Sequence, residues 1–478
     1  MWKMVERYEK GVRGALTTTL VLNGTVVTID RNRRVIKDGA VAIEDNRIVG
    51  VGKTSELKKE FPRADTIDAQ KKIVLPGLVD THVHLTQTLA RGLADDVSVP
   101  DWLYKRIFPY EVAMTEEDVY VNSLLACLEM IKTGTTCFAD PGGYQMEHAA
   151  RAVEESGIRG ILAIASVDKH DATHPLPNRL QRSTDEVVKM NEGFLRIYNG
   201  SAGGRIRVWM ALRGMLNVTS ELILRLNQLA KKHDTGLEVH AAFLKENVEW
   251  VKAQTGLTDV RYLEKLGVLG PHWLMMLMGW VDDEEIDILK QHDVKISYNP
   301  AAAMKGPLGT NVNKKIPLMI KKGVTVSIGC DSTAGSNTLD MFRAMWITSM
   351  VHKEMYLDST LIPPEESLEM ATVKAARCLL WEDEIGSLEK GKKADLILVD
   401  QNKSNMIPMH DFSIIPNLVY SCDGSNVETV IINGKTVMKD KELLTIDEER
   451  VLETAQKTAE SIINRIKEYK LKPLWSVS

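Results

Sequence analysis

Cysteine is scarce in this chain of 478 residues: Cys127, Cys137, Cys330, Cys378 and Cys422 are the only five, and no two form a Cys-x-x-Cys pair. An odd, scattered set excludes a disulfide scaffold and a thiolate zinc site, and points to a reducing compartment. A basic excess is missing too. Lys and Arg number 60 against 65 Asp and Glu, a net charge of −5, so no cationic field is available for nucleic acid, whose phosphates need clustered Lys and Arg. No apolar run reaches the roughly 18–20 residues that span a bilayer, and the opening residues 1–7 hold no stretch of signal-peptide length. What is present is ordinary globular usage, with 44% hydrophobic and 26% charged residues. A cytoplasmic protein with neither a membrane nor a nucleic-acid partner is expected.

The two ends of the chain differ from its middle. Residues 20–30 and 39–52 are short β-rich runs with turns at Asn23-Gly24 and Asp45-Asn46-Arg47, and matching runs return at 394–400 and 427–438, the latter turning at Asn433-Gly434. Strands at both ends predict one composite β-sandwich from residues 16–75 and 390–440. The segment between, 76–389, alternates strand and helix. Eight apolar runs end at His82, Cys137, Val167, Arg213, His240, Leu277, Tyr298 and Cys330, with helical periodicity between them, as at 116–132 behind the N-cap Thr115, and at 221–233, 282–292 and 339–355. Eight buried strands joined by helices predict an α/β (β/α)₈ barrel, since parallel strands need crossovers. A doubly wound sheet would require a phosphate-binding glycine fingerprint, which is absent. The tail, 447–478, begins with a helix over 447–470 whose Val451, Leu452, Ala455, Ala459, Ile462, Ile463 and Ile466 form one apolar stripe, expected to pack on the barrel or on a second subunit of a homo-oligomer.

Barrel chemistry sits at the C-terminal ends of the strands. The first strand ends in His82-Val83-His84, and strand alternation puts the two imidazoles on one face. His240 closes the fifth strand and Asp331 the eighth. Ionisable groups ending buried strands are costly unless paired or metal-bound, so His82, His84, His240 and Asp331 form a candidate His₃Asp site for one divalent metal, Zn²⁺, Fe²⁺ or Co²⁺.

With these residues the chain resembles the amidohydrolase superfamily, and within it the subgroup of triazine hydrolases, guanine and cytosine deaminases and S-adenosylhomocysteine deaminases. The specific segments are Pro76-Gly77-Leu78-Val79-Asp80-Thr81-His82-Val83-His84-Leu85-Thr86-Gln87 and Gly386-Ser387-Leu388-Glu389-Lys390-Gly391-Lys392-Lys393-Ala394-Asp395. The resemblance implies a metal-bearing barrel with a composite β-sandwich. It makes His82, His84 and His240 ligands, and Asp331 a ligand or the group that orients and deprotonates the attacking water. Three departures stand out. Deaminases of the subgroup carry a proton-shuttling Glu three residues after the strand-five His, where this chain has Phe243. The sixth strand there ends in a His, aligned here with Leu277. The seventh offers His-Asn-Pro, here Tyr298-Asn299-Pro300.

Loss of that Glu and His removes the usual acid, worth about 10²–10⁴-fold in rate, and ring deamination needs it. Acyl hydrolysis demands less, since hydroxide on a metal can attack a polarised carbonyl directly. The expected activity is therefore metal-dependent hydrolysis of a C–N or C–S bond in a small, apolar urea, carbamate, thiocarbamate or amide of xenobiotic type, with phenylurea and thiocarbamate hydrolases as functional analogues. Two alternatives stand: an s-triazine or purine/pyrimidine deaminase or dechlorinase, and a non-catalytic binding protein on the same scaffold. Lys169, His170 and Arg213 follow the third and fourth strands as candidate proton donors or carbonyl partners. Gln87, Trp102, Phe243, Leu277, Tyr298 and Asn299 are further candidates for substrate contact. The remaining histidines, His148, His174, His233, His272, His292, His352 and His410, read as structural.

Overall fold

Residues 18–170 and 175–466 are described in the computed structural model of the chain. Eight parallel strands run in order around a barrel: Leu78–Asp80, Thr135–Gly143, Arg159–Ser166, Met210–Leu212, Leu237–Ala241, Trp273–Leu277, Lys295–Tyr298 and Val326–Ile328. A short ninth strand, Ile206–Val208, pairs beside the third. The last strand meets the first through the Thr81 N–H donating to the Ile328 carbonyl at 3.2 Å and the Asp331 N–H to the His82 carbonyl at 2.7 Å. Between them the Thr81 hydroxyl contacts those of Ser297 and Ser327 at 2.8 and 2.9 Å, which fixes these side chains inside the wall. Val79, Cys137, Ala139, Ile161, Trp209, Leu274 and Met276 belong to one buried cluster that fills the interior. The expected (β/α)₈ architecture is observed.

The helices begin where the polar caps dictate. Thr115 and Asp118 form a reciprocal capping box for Glu116–Lys132, Thr219 caps Ser220–Lys232, and Asp282 caps Asp283–Gln291. Two expectations need correction. The second strand continues past Cys137 to Gly143, because the Asp140 carboxylate accepts the Leu85 and Gly142 N–H groups at 3.0 and 2.8 Å and so keeps a polar residue in the wall. The C-terminal helix spans Glu448–Arg465 and ends at Ile466, whose backbone is extended (φ −82°, ψ 117°); the expected stretch 467–470 lies outside the described residues. Its stripe is divided as well. Val451, Ala455, Ile462 and Ile466 are buried, with Val451 meeting Leu124 and Leu128 of Glu116–Lys132, while Leu452 and Ile463 on the neighbouring face are about half exposed (49% and 47%).

Strands from both ends of the chain form a second sheet. Its order is Glu442–Leu443, Lys435–Lys439, Val427–Ile432, Leu396–Asp400, Lys72–Pro76, Thr18–Val27, Val35–Glu44 and Arg47–Lys53, with Asp65–Asp68 beside Thr18–Val27. Asn433 and Gly434 turn the hairpin with φ of +52° and +76°, the left-handed pair of a tight two-residue loop. Gly434 is also obligatory for space, since a Cβ there would lie 1.9 Å from the Asp45 carbonyl oxygen.

Candidate active site

At the C-terminal mouth of the barrel three imidazoles face one another. Ring centroids lie 4.8 Å apart for His82 and His84, 4.9 Å for His82 and His240, and 5.4 Å for His84 and His240, the last pair stacked. One nitrogen from each falls within 4.8 Å of the others. Asp331 closes the group, with Oδ1 3.6 Å from His82 Nε2 and 3.7 Å from His84 Nε2. Backbone strain aims it there: Asp331 has φ of +65°, unfavourable for any residue with a Cβ, and its Oδ1 accepts the Ser332 N–H at 2.6 Å. Gly329 permits the close approach beneath, since a Cβ would lie 2.6 Å from Asn299 Nδ2 and 2.8 Å from the His82 Cβ.

The electrostatics suit a cation. Burial and the neighbouring His82 push the pKa of His84 well below its ordinary value and that of His240 down to about 3, so both rings are neutral. Burial opposes the charge of Asp331, yet His82, His84 and His240 hold its carboxyl well below the usual range. Both ring nitrogens of His82 and the Nδ1 atoms of His84 and His240 are buried without a hydrogen-bond partner. Neutral imidazoles with bare nitrogens beside an anionic carboxylate are the donor set of a divalent first-row metal.

A cavity of about 360 Å³ opens over this group. Of the residues singled out from the sequence, His84, Gln87, Trp102, Arg213, His240, Phe243, Leu277 and Asp331 line it, and Trp102 is pinned by its indole N–H to the Ala334 carbonyl at 3.2 Å. Phe243 and Leu277 line the same cavity as His84 and His240 and share one apolar cluster with Leu244 and Leu308. Leu277 keeps a left-handed backbone (φ +75°), so the sixth strand ends in a strained turn that presents an apolar side chain. Arg213 is anchored by Glu111, whose two oxygens accept from its Nη2 at 3.0 and 2.9 Å. Gln87 donates to the same carboxylate at 3.0 Å.

Other candidates lie elsewhere. Lys169 does not line the cavity; its ammonium sits over the Trp250 ring, 4.4 Å from the centroid. His170 is exposed, and Asp171 and His174 of the same loop lie outside the described residues. Tyr298 is fully buried and turned outward, its hydroxyl donating to Asn311 and its ring 5.3 Å from His352. The inward place on that strand belongs to Ser297. Asn299 is buried between the seventh and eighth strands. Two acidic residues escaped the sequence reading. Glu111 follows a Pro-Tyr pair with nothing local to mark it. Glu238, two residues before His240 and hence on its strand face, is fully buried with both oxygens unpartnered, and burial raises its pKa well above the ordinary value; alternation was the available signal.

The amidohydrolase family profile matches residues 73–437. The chain belongs to the amidohydrolase family. A bacterial imidazolonepropionase-like composite-domain profile also matches residues 39–64. The chain is 39% identical to a 5'-deoxyadenosine deaminase of Methanosarcina barkeri, over 94% of this chain and 99% of that one. Among solved structures it is similar to a zinc-bound adenosine deaminase from Xanthomonas campestris (TM-score 0.87, 27% identity, 94% and 99% covered). An atrazine chlorohydrolase from Arthrobacter aurescens complexed with zinc shares the fold (TM-score 0.83, 22% identity, 92% and 100% covered). The functional kinship expected with phenylurea and thiocarbamate hydrolases is thereby corrected: extensive sequence identity runs to nucleoside deaminases.

Proposed function

We propose that this amidohydrolase hydrolyses a carbon–nitrogen bond of a small, largely apolar urea, carbamate or amide, with the related thiocarbamates as C–S substrates. The observation that carries this reading is the apolar pair Phe243 and Leu277 in the wall of the cavity that His84, His240 and Asp331 also line, at the positions where ring deaminases of the subgroup carry a proton donor and a polar partner. His82, His84 and His240, with Asp331, would hold one divalent ion, for which zinc is the first choice given the zinc in the two similar structures. Such an ion acidifies water and polarises a carbonyl oxygen. The side chains do the rest. Asp331, kept anionic by the imidazoles, accepts a proton from the attacking water and returns it to the departing nitrogen. Phe243, Leu277, Leu244 and Trp102 enclose the apolar part of the substrate and exclude bulk water.

A second reading, deamination of an adenine-type 5'-deoxynucleoside, is favoured by the near full-length identity to 5'-deoxyadenosine deaminase. One panel separates the two. Zinc-loaded protein is assayed with aryl ureas, carbamates and anilides, and in parallel with 5'-deoxyadenosine and 5'-methylthioadenosine for ammonia release. Turnover of acyl substrates is expected. Ammonia from the nucleosides alone would overturn the acyl reading.

A further inference from the structure

The cavity wall is apolar around Phe243 and Leu277 but also carries two cations, Arg213 and Lys305, of which Lys305 is already engaged by Asp95 and Asn337. Arg213 follows the fourth strand; its side chain is 16% exposed and lines the cavity. Only Nη2 is engaged, on the Glu111 carboxylate. Nε and Nη1 have no acceptor among the described residues, and neither counts among the buried orphan atoms, so these donors keep some exposure on a side chain that lines the cavity. The guanidinium plane is held further by the Phe108 ring, 4.8 Å from its carbon. Glu111 itself is 1% exposed. It is fixed from a second direction by Gln87, so the arginine is clamped before any ligand arrives. A preorganised donor set of this kind is strongest where charge develops on an oxygen.

We propose that Arg213 is the catalytic residue that binds the carbonyl oxygen of the substrate, filling the role left open by Leu277, and that Glu111 is its positioning residue. The inference rests on the acyl reading for the identity of that oxygen. It narrows the substrate class: an exposed carbonyl must lie beside the apolar group, and a hydrocarbon of the same shape is a poor ligand. It also explains why Glu111 is spent inside the protein, since both of its oxygens face Arg213 rather than the cavity.

The test measures binding with a pair of probes that differ by one carbonyl, 1-indanone and indane. Neither is hydrolysed, so inactivity toward ureas would overturn the proposed reaction without touching this measurement. The ratio of their affinities is read by calorimetry on zinc-loaded wild type and variants. A hydrogen bond to a charged donor corresponds to roughly 10–100-fold, and the ratio should fall by that factor in Arg213→Met. That variant leaves the Glu111 carboxylate buried and unpaired. Arg213→Met/Glu111→Gln therefore serves beside it, folding being checked by circular dichroism. Glu111→Gln alone should lower the ratio while leaving indane affinity unchanged, which a collapsed cavity would not do. A ratio within threefold of wild type in the folded Arg213 variants overturns the assignment. An unchanged ratio in Glu111→Gln overturns the positioning role.

Discussion

Asp331 combines three properties that seldom meet in one residue: a left-handed backbone, a buried carboxylate and three imidazoles for company. Asp331→Asn keeps the side-chain volume and can still accept the Ser332 N–H, but an amide cannot take a proton from water. We expect hydrolysis to fall by about 10²–10⁴-fold with the barrel intact by circular dichroism and most of the metal retained in elemental analysis. His82→Ala acts differently. It removes a ligand, so metal content and activity should fall together, and metal retained at wild-type stoichiometry would exclude His82 from the ligand set. Phe243 and Leu277 allow the converse experiment. Phe243→Glu with Leu277→His restores the two groups of a ring deaminase at positions that line the same cavity. If the near full-length identity to a 5'-deoxyadenosine deaminase reflects a shared pocket, the double variant should release ammonia from 5'-deoxyadenosine above the wild-type rate. Each single change should do less, because acid and polar partner act on one transition state.

Elements were legible where their signals are local. Thr115 and Thr219 announce their helices because a cap is a contact between residues three apart, and the His-x-His pair announces its strand end by alternation alone. What could not be read depends on closure of the barrel. Glu111 and Arg213 are 102 residues apart, and no local pattern pairs them. Tyr298 was expected at the substrate, but Ser297 takes the inward register with Thr81, which sends Tyr298 outward against the helix Met341–Tyr356. His352 on that helix then carries a prediction. It is fully buried with both nitrogens unpartnered, and burial lowers its pKa to about 4 from an ordinary 6.5. The unfolded chain binds a proton in that interval and the folded one does not, so stability is fully present above pH 6.5 and is lost as pH falls toward 4. The shift corresponds to roughly 3 kcal/mol. His352→Leu should flatten the denaturation midpoint between pH 6.5 and 4; an unchanged acid slope would place the sensitivity elsewhere.

Across the whole molecule, chemistry and stability occupy opposite ends of the barrel, as expected where loops at the strand C-termini carry function. Arg159 opens the third strand at the end away from the histidines, and it reaches into the second sheet. Its Nε and Nη2 donate to the Asp395 carboxylate at 2.7 and 3.1 Å, and Asp395 in turn accepts the Asn433 N–H at 2.7 Å. The pair is 0% and 2% exposed, and its guanidinium shares the Trp381 ring with Arg207. Burying two charges gains little against a well-packed apolar pair, whereas leaving one of them alone costs about 3–5 kcal/mol. Arg159→Met should therefore lower the urea midpoint strongly, and Arg159→Met/Asp395→Leu should recover part of the loss. The site is reached through neither residue, so the folded fraction of both variants should keep the wild-type metal content and kcat. A loss of kcat in the folded double variant would mean that the sheet from the chain ends governs the geometry of the mouth, and that the two ends of the barrel are coupled.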